Sequence, residues 1–419
     1  MFGPSVPAPV RYRLLETPIR LFSLSARSRL VLVLVIATAL GPFAMQIFLP
    51  ALPAIQTEFD VSAATAQLVF SLSGMAMAVA TLFYGPISDA LGRRPVMIAG
   101  MFIFLVGSLI CVIAPTIEIL IAGRIIQAAG GVGGMVLSRT IIRDIYSRDE
   151  AATAMAYVTM AMVVAPMLAP ALGGILAEWM GWPSVFAVSG LFGLFVFVAV
   201  LFRLKETRPA SSGSGGGNRG TLRAFSLLLH DRPFIAYMAQ GAFSMSVFFG
   251  FIAAAPYVVI TVMGLPTAQY GLMFMLISLA FMVGNFTSAS VGLRVSVDRK
   301  IVFGASGALF GTVLSIVLLL ALPWSPWSVF VPMILTGYFQ GIAMPNSQAA
   351  VVSVRPDMAG AASGLAGFAQ MITASLVAQL VGSLQWHSPY PMAIGMLVCA
   401  LGMFIFAIMA TSRRTRVSL

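Results

Sequence analysis

Gly85-Pro-Ile-Ser-Asp-Ala-Leu-Gly-Arg-Arg-Pro95 joins two long apolar runs, over 66–87 and 96–114, and its reading decides the fold. Gly85 and Gly92 permit a tight turn, and Asp89 stands where a carboxylate can accept amide hydrogen bonds at a helix end. Each flanking run matches a hydrocarbon layer of roughly 30 Å crossed at about 1.5 Å per residue. Working outward, further runs of that size cover 31–53, 117–138, 152–176, 184–202, 233–262, 269–291, 301–322, 327–349, 359–383 and 390–410. The spacing predicts an all-α membrane protein of twelve transmembrane helices.

Composition demands the same solvent. The chain of 419 residues is 59% hydrophobic and 9% charged, more apolar surface than a soluble fold can hide. Of 24 basic residues, 23 fall before the first run, after every second run, or after the last; Arg124 alone lies within a run. The alternate loops hold Glu58, Asp60, Glu118 and Glu178 instead. Short loops rich in Lys and Arg stay cytoplasmic, so both termini are expected there. The formal charge of +11 then reflects topology and predicts no nucleic-acid partner. Cys111 and Cys399 fall in apolar runs as small hydrophobes, and His230 and His387 have no ligand-spaced neighbours, so neither metal nor cofactor is expected.

Residues 210–220, Ala-Ser-Ser-Gly-Ser-Gly-Gly-Gly-Asn-Arg-Gly, break the pattern as a flexible linker would. The expected organisation is a cytoplasmic tail over 1–29, a six-helix bundle over 30–202, a flexible linker over 203–232, a second bundle over 233–410 and a tail over 411–419. A weak repeat supports two pseudo-symmetric bundles around a central cavity. Gly85 to Arg93 recurs as Gly292 to Lys300, an offset of 207 in both cases (292 minus 85, 300 minus 93).

Four segments together resemble the major facilitator superfamily, and within it the bicyclomycin and chloramphenicol resistance branch of the twelve-span drug:proton antiporters. The first is the Gly85–Pro95 turn, similar to the superfamily signature between its second and third helices. The second is Leu120-Ile-Ala-Gly-Arg-Ile-Ile-Gln-Ala-Ala-Gly130, with an arginine inside the fourth helix. The third, Ala165-Pro-Met-Leu-Ala-Pro-Ala-Leu-Gly-Gly174, resembles the exporter signature of the fifth helix, with alanine for two glycines. The fourth is Gln46-Ile-Phe-Leu-Pro-Ala-Leu-Pro53 at the end of the first run. The resemblance implies an inner-membrane exporter of small amphipathic organic compounds working by alternating access, as a monomer with protons as coupling ion.

From it follow the expected sites. Gly85, Asp89, Gly92 and Arg93 form a conformational latch, with Asp89 reaching the start of the eleventh helix near Ala359 and Gly360. Pro166 and Pro170 kink the fifth helix, and Gly173 and Gly174 allow close packing. Gln46, Arg124, Gln127, Met45, Met245, Phe248, Tyr338, Gln340 and Asn346 are candidates for substrate binding or coupling. Gln46 replaces the aspartate common in that branch, so no intramembrane carboxylate is left to carry a proton. Arg124 and Gln46 are expected at similar depth, about 10 Å inside, where an unneutralised guanidinium facing an aqueous cavity favours neutral or anionic substrates. Two rival readings stay open: a facilitator or exchanger for one neutral or anionic metabolite, and a non-transporting receptor or lipid-handling protein. An enzyme is disfavoured, because the sequence holds no catalytic constellation.

Overall fold

A computed structural model describes residues 26–208, 218–384 and 388–414; residues 1–25 of the expected tail over 1–29, 209–217 of the expected linker, 415–419 of the expected tail over 411–419, and His387 lie outside them. Among the described residues there is no strand. The helices are α1 Ala26–Gln46, α2 Leu52–Glu58, α3 Ala63–Leu91, α4 Arg93–Val112, α5 Ile117–Ile145, α6 Arg148–Met180, α7 Pro183–Arg203, α8 Asn218–His230, α9 Arg232–Pro256, α10 Thr267–Val291, α11 Val297–Ala321, α12 Pro326–Val354, α13 Ala359–Ser383 and α14 Tyr390–Arg414. Among the described residues twelve stretches are long and apolar enough to cross a bilayer, the first of them combining α1 and α2. Pro50 and Pro53 account for that break: a single turn of 3-10 helix over Leu49–Ala51 joins the two helices, because proline removes helix donors.

The 207-residue offset extends through the architecture. Adding it to the first residue of α7, 183, gives 390, where α14 begins; adding it to 26, 93 and 117 gives 233, 300 and 324, close to the starts of α9, α11 and α12. The halves are therefore α1–α7 and α9–α14. Between them, the expected flexible linker is helical over Asn218–His230. Leu222, Phe225, Leu228 and Leu229 recur at helical spacing, and Leu228 packs against Phe234 and Tyr237. Leu228 is buried there and Phe225 half-buried, while Leu229 is exposed.

Three hydrophobic clusters define the shape. One holds residues of both halves, among them Phe48, Phe70, Phe249 and Phe274, at the end of the bundle bearing Glu58 and Glu178. Another is confined to the first half, with Leu34, Met101 and Leu137, and a third to the second half and α8, with Phe234, Ile301 and Met403. Shared packing at the acidic end and separate packing at the basic end place a vestibule between the halves, open toward the arginine-rich face.

Candidate functional site

The acidic end is a closed seam in which α3 packs on α13 and α6 on α10. Ser71 Oγ donates to Gln379 Oε1 at 2.5 Å, and Gln379 Nε2 to the Ala64 carbonyl at 2.9 Å. A Cβ on Gly74 would collide with Ser375 Oγ, and the Phe70 and Phe249 rings lie 5.2 Å apart. On the other side of the seam, Glu178 Oε2 accepts from the Ala268 amide at 2.9 Å and so caps α10 from the opposite half. The fifth-span signature falls here. A Cβ on Gly174 would lie 2.5 Å from the Thr267 carbonyl, Gly271 abuts the Pro170 carbonyl, and Gly173 abuts the Ile47 carbonyl. Pro166 and Pro170 are both inside α6.

Beneath the seam Arg124 is 1% exposed. Its Nη1 donates to the Ala44 carbonyl at 3.1 Å and to Gln127 Oε1, its Nη2 lies 3.6 Å from Met45 Sδ, and its guanidinium carbon stands 4.1 Å from the Phe48 ring centre. Gln127 Nε2 in turn donates to Ser108 Oγ at 2.8 Å. Two expectations are corrected here. Gln46 is not the partner of Arg124, since Gln46 Oε1 has no hydrogen bond, and the guanidinium does not face an aqueous cavity. The proline-driven turn after Gln46 presents the backbone of α1 and the ring of Phe48 instead, and cation–π stacking replaces the missing acid.

The remaining candidates lie in the second half and do not converge with Arg124. Gln340 Nε2 donates to the Ser244 carbonyl at 2.6 Å, Tyr338 Oη to Thr287 Oγ1 at 3.4 Å, and Asn346 Nδ2 to Ser288 Oγ and the Ile342 carbonyl, each at 2.7 Å. Phe248 sits among aromatic rings, 6.1 Å from Phe274, and half-buried Met245 packs against the shared cluster.

At the basic end, Gly92 turns the chain between α3 and α4 with φ of 102°, a value only glycine adopts freely. Arg93 pairs with Asp89 at 2.5 Å and Asp144 at 3.1 Å, and Nη1 donates to Ser88 Oγ at 2.6 Å. Asp89 is 65% exposed, and open space surrounds Gly85 and Gly360. In this conformation the expected contact of Asp89 with the start of α13 is therefore unmade, as an opening on this face requires.

Glu206, just past α7, caps α4. Its carboxylate accepts from the amides of Arg93 at 2.9 Å and Arg94 at 3.2 Å, and from those of Thr207 and Arg208. Partial burial raises its pKa, but the four amide bonds outweigh burial and hold the carboxyl below the usual range. A depressed acid stabilises the docked state above its unfolded pKa and loses that contribution as pH falls through the folded value. At neutral pH, Glu206→Gln is expected to speed hydrogen exchange of the Arg93 and Arg94 amides several-fold. Below the folded pKa of the carboxyl the wild type should match the variant. Equal exchange at neutral pH would remove the cap.

Sequence reasoning missed Phe48, Asp144, Glu206, Gly74, Ser375 and Arg139. Arg139 looked like a loop charge because the fourth run was ended at 138. The apolar series Leu137, Ile141, Ile142 and Ile145 continues the helix, and Ser147 with Glu150 marks the next start, a signal that sets the true boundary.

A model of the Major Facilitator Superfamily matches residues 34–378. The chain belongs to that superfamily. Relatives within it include the bicyclomycin resistance protein homolog of Haemophilus influenzae, 27% identical over 92% of this chain and 97% of that one. Multidrug resistance protein D of Escherichia coli is 28% identical, covering 90% and 93%, and multidrug resistance protein MdtL of Salmonella newport is 30% identical with the same coverage. In structure the facilitator fold here is similar to that of a D-xylose-proton symporter, with a TM-score of 0.75 at 14% identity, covering 91% of this chain and 98% of that one. It is also similar to a bacterial homolog of the human lysosomal transporter Spinster, with a TM-score of 0.71 at 16% identity, covering 93% and 96%.

Proposed function

We propose that this facilitator exports small amphipathic organic compounds across the bacterial inner membrane by alternating access, with its basic face and both termini in the cytoplasm. The bundles over 30–202 and 233–410 rock about the central cluster, and the segment over 203–232 joins them in a monomer. One observation carries the reading. The halves meet at the acidic end, along the fifth-span glycines and Gly74, while the vestibule opens on the face rich in Lys and Arg, where cytoplasmic substrate would enter. The names of the relatives support efflux of drug-like molecules as the activity. In this reading Asp89 and Arg93 remake the latch when the basic face closes, and Arg124, Gln127 and Met45 set the outer limit of the substrate path.

A second reading, exchange of one neutral or anionic solute, is favoured by the acid distribution: all thirteen Asp and Glu residues lie outside the span interiors, so no carboxylate is placed to carry a proton through them. Inside-out proteoliposomes energised by a pH gradient are expected to accumulate the neutral antibiotic bicyclomycin, and an uncoupler should release it. Accumulation that ignores the uncoupler but accelerates with unlabelled bicyclomycin on the opposite side would replace export with exchange.

A further inference from the structure

Arg124 was the charge that the sequence placed in the cavity, and the fold buries it. The vestibule carries another. Arg139 lies on α5 six residues before its end and is exposed, although α5 packs against α1, α3, α4 and α6 along most of its length. On a helix of 100° per residue, Ile121, Ala128, Val132 and Met135 fall within about 40° of Arg139, on one face. Ala128 and Val132 belong to the cluster shared by the two halves, and Ile121 and Met135 pack against it. Arg139 therefore continues the stripe that faces the other half, one turn past the point where the halves separate. An arginine serving membrane topology faces lipid headgroups; this one faces the vestibule.

Among the described residues its charge has no acidic partner. Ion pairs among the described residues include Arg93 with Asp89 and Asp144, and Arg355 with Asp231. Asp144, the nearest acid in sequence, is thus engaged by Arg93. Among the described residues the polar contact of Arg139 is Nη2 to Met162 Sδ at 2.9 Å, a weak acceptor for one of five donors. The pseudo-symmetric position, 139 plus 207, is Asn346, whose amide nitrogen is spent on Ser288 and Ile342. Gly360, Gly364 and Gly367 recur on one face of α13, where an added Cβ would meet open space. The vestibule thus has a positive anchor on one wall and neutral groups on the other.

We propose that Arg139 is a recognition site for the carboxylate of amphipathic organic anions entering from the basic face. The inference rests on the export reading and adds the substrate charge to it. A guanidinium offers a planar fork matched to a carboxylate, and the apolar stripe behind it suits the rest of an amphipathic molecule. Dansyl-phenylalanine and its neutral methyl ester share one scaffold and report binding by fluorescence, so the pair isolates the charge. Purified protein is reconstituted in phosphatidylcholine alone, which removes anionic lipid headgroups as competing ligands. Wild type should bind the acid about tenfold more tightly than the ester, with the preference falling as salt rises. Arg139→Gln should abolish that preference while ester affinity stays unchanged, which also reports that the variant is folded, and Arg139→Lys should keep part of it. Ester binding without preference for the acid, or a preference that survives in Arg139→Gln, overturns the site and leaves the export reading standing. Equal weakening of both ligands by Arg139→Gln would assign Arg139 a packing role and also overturn it. Binding of neither ligand by wild type overturns the site, while the export reading stands or falls on the accumulation of bicyclomycin.

Discussion

Gly74→Val is expected to hold the acidic-end seam apart and stop export, while the protein still inserts. Gly74 on α3 meets the Ser375 side chain of the other half: an added Cβ would strike Ser375 Oγ and stand 3.4 Å from its Cβ, with a Phe249 ring carbon 3.8 Å away. Forcing added methyl groups into a packed contact costs about 1–3 kcal/mol, and here only the closed-seam conformation bears that cost. Each 1.4 kcal/mol is a factor of ten, so the population should move by roughly tenfold to a hundredfold toward the state closed on the basic face. Single-cysteine labelling at Gly367, with Cys111 and Cys399 replaced by serine, should slow by a similar factor. Combining Gly74→Ala with Ser375→Gly should restore labelling and export, because the second change removes the colliding atoms. Unchanged labelling and transport in Gly74→Val would mean that the seam does not move during transport.

Arg124→Leu is expected to cost about 2–5 kcal/mol of stability and abolish export. The change strands the Ala44 carbonyl and Gln127 Oε1 as buried acceptors, at about 1–3 kcal/mol each, and removes the cation from the face of Phe48. Arg124→Lys keeps the charge but not the planar fork, so it should recover part of the stability and less than a tenth of the transport. The larger effect on transport follows from position. Phe48 lies 6.3 Å from Phe70, and Phe70 lies 5.2 Å from Phe249 across the seam, so Arg124 joins a continuous series of rings to the moving boundary. A double-mutant cycle between Arg124→Lys and Phe249→Leu should show coupling of about 0.5–3 kcal/mol in the closed-seam equilibrium. Additive effects would reduce the ring series to simple packing.

The sequence by itself determined the bilayer as solvent, the number of spans, the pairing of halves and the sidedness of charge. All of these depend on quantities local to the chain: apolar run length, basic residue placement and a repeat at constant offset. Motif residues were legible for the same reason, since Gly92 needs its unusual backbone angle and the fifth-span glycines need to be small, whatever they touch. Boundaries were less legible where capping outranked hydropathy, as at Arg139, and where a polar segment is helical and docks through a buried leucine, as Asn218–His230 does through Leu228.

Only the tertiary structure decided what those residues meet. Helix periodicity put Gln46 and Arg124 at similar depth, but depth leaves rotation about the helix axis free, and the proline turn after Gln46 rotated Phe48 over the guanidinium in place of Gln46. A buried charge takes the acceptors that close packing supplies, here a backbone carbonyl, an amide and an aromatic face, and none of these has a charge signature in sequence. The open vestibule is likewise a property of two packed bodies: a shared apolar cluster at one end and separate clusters at the other, among the described residues, set its direction, and no single segment records that difference.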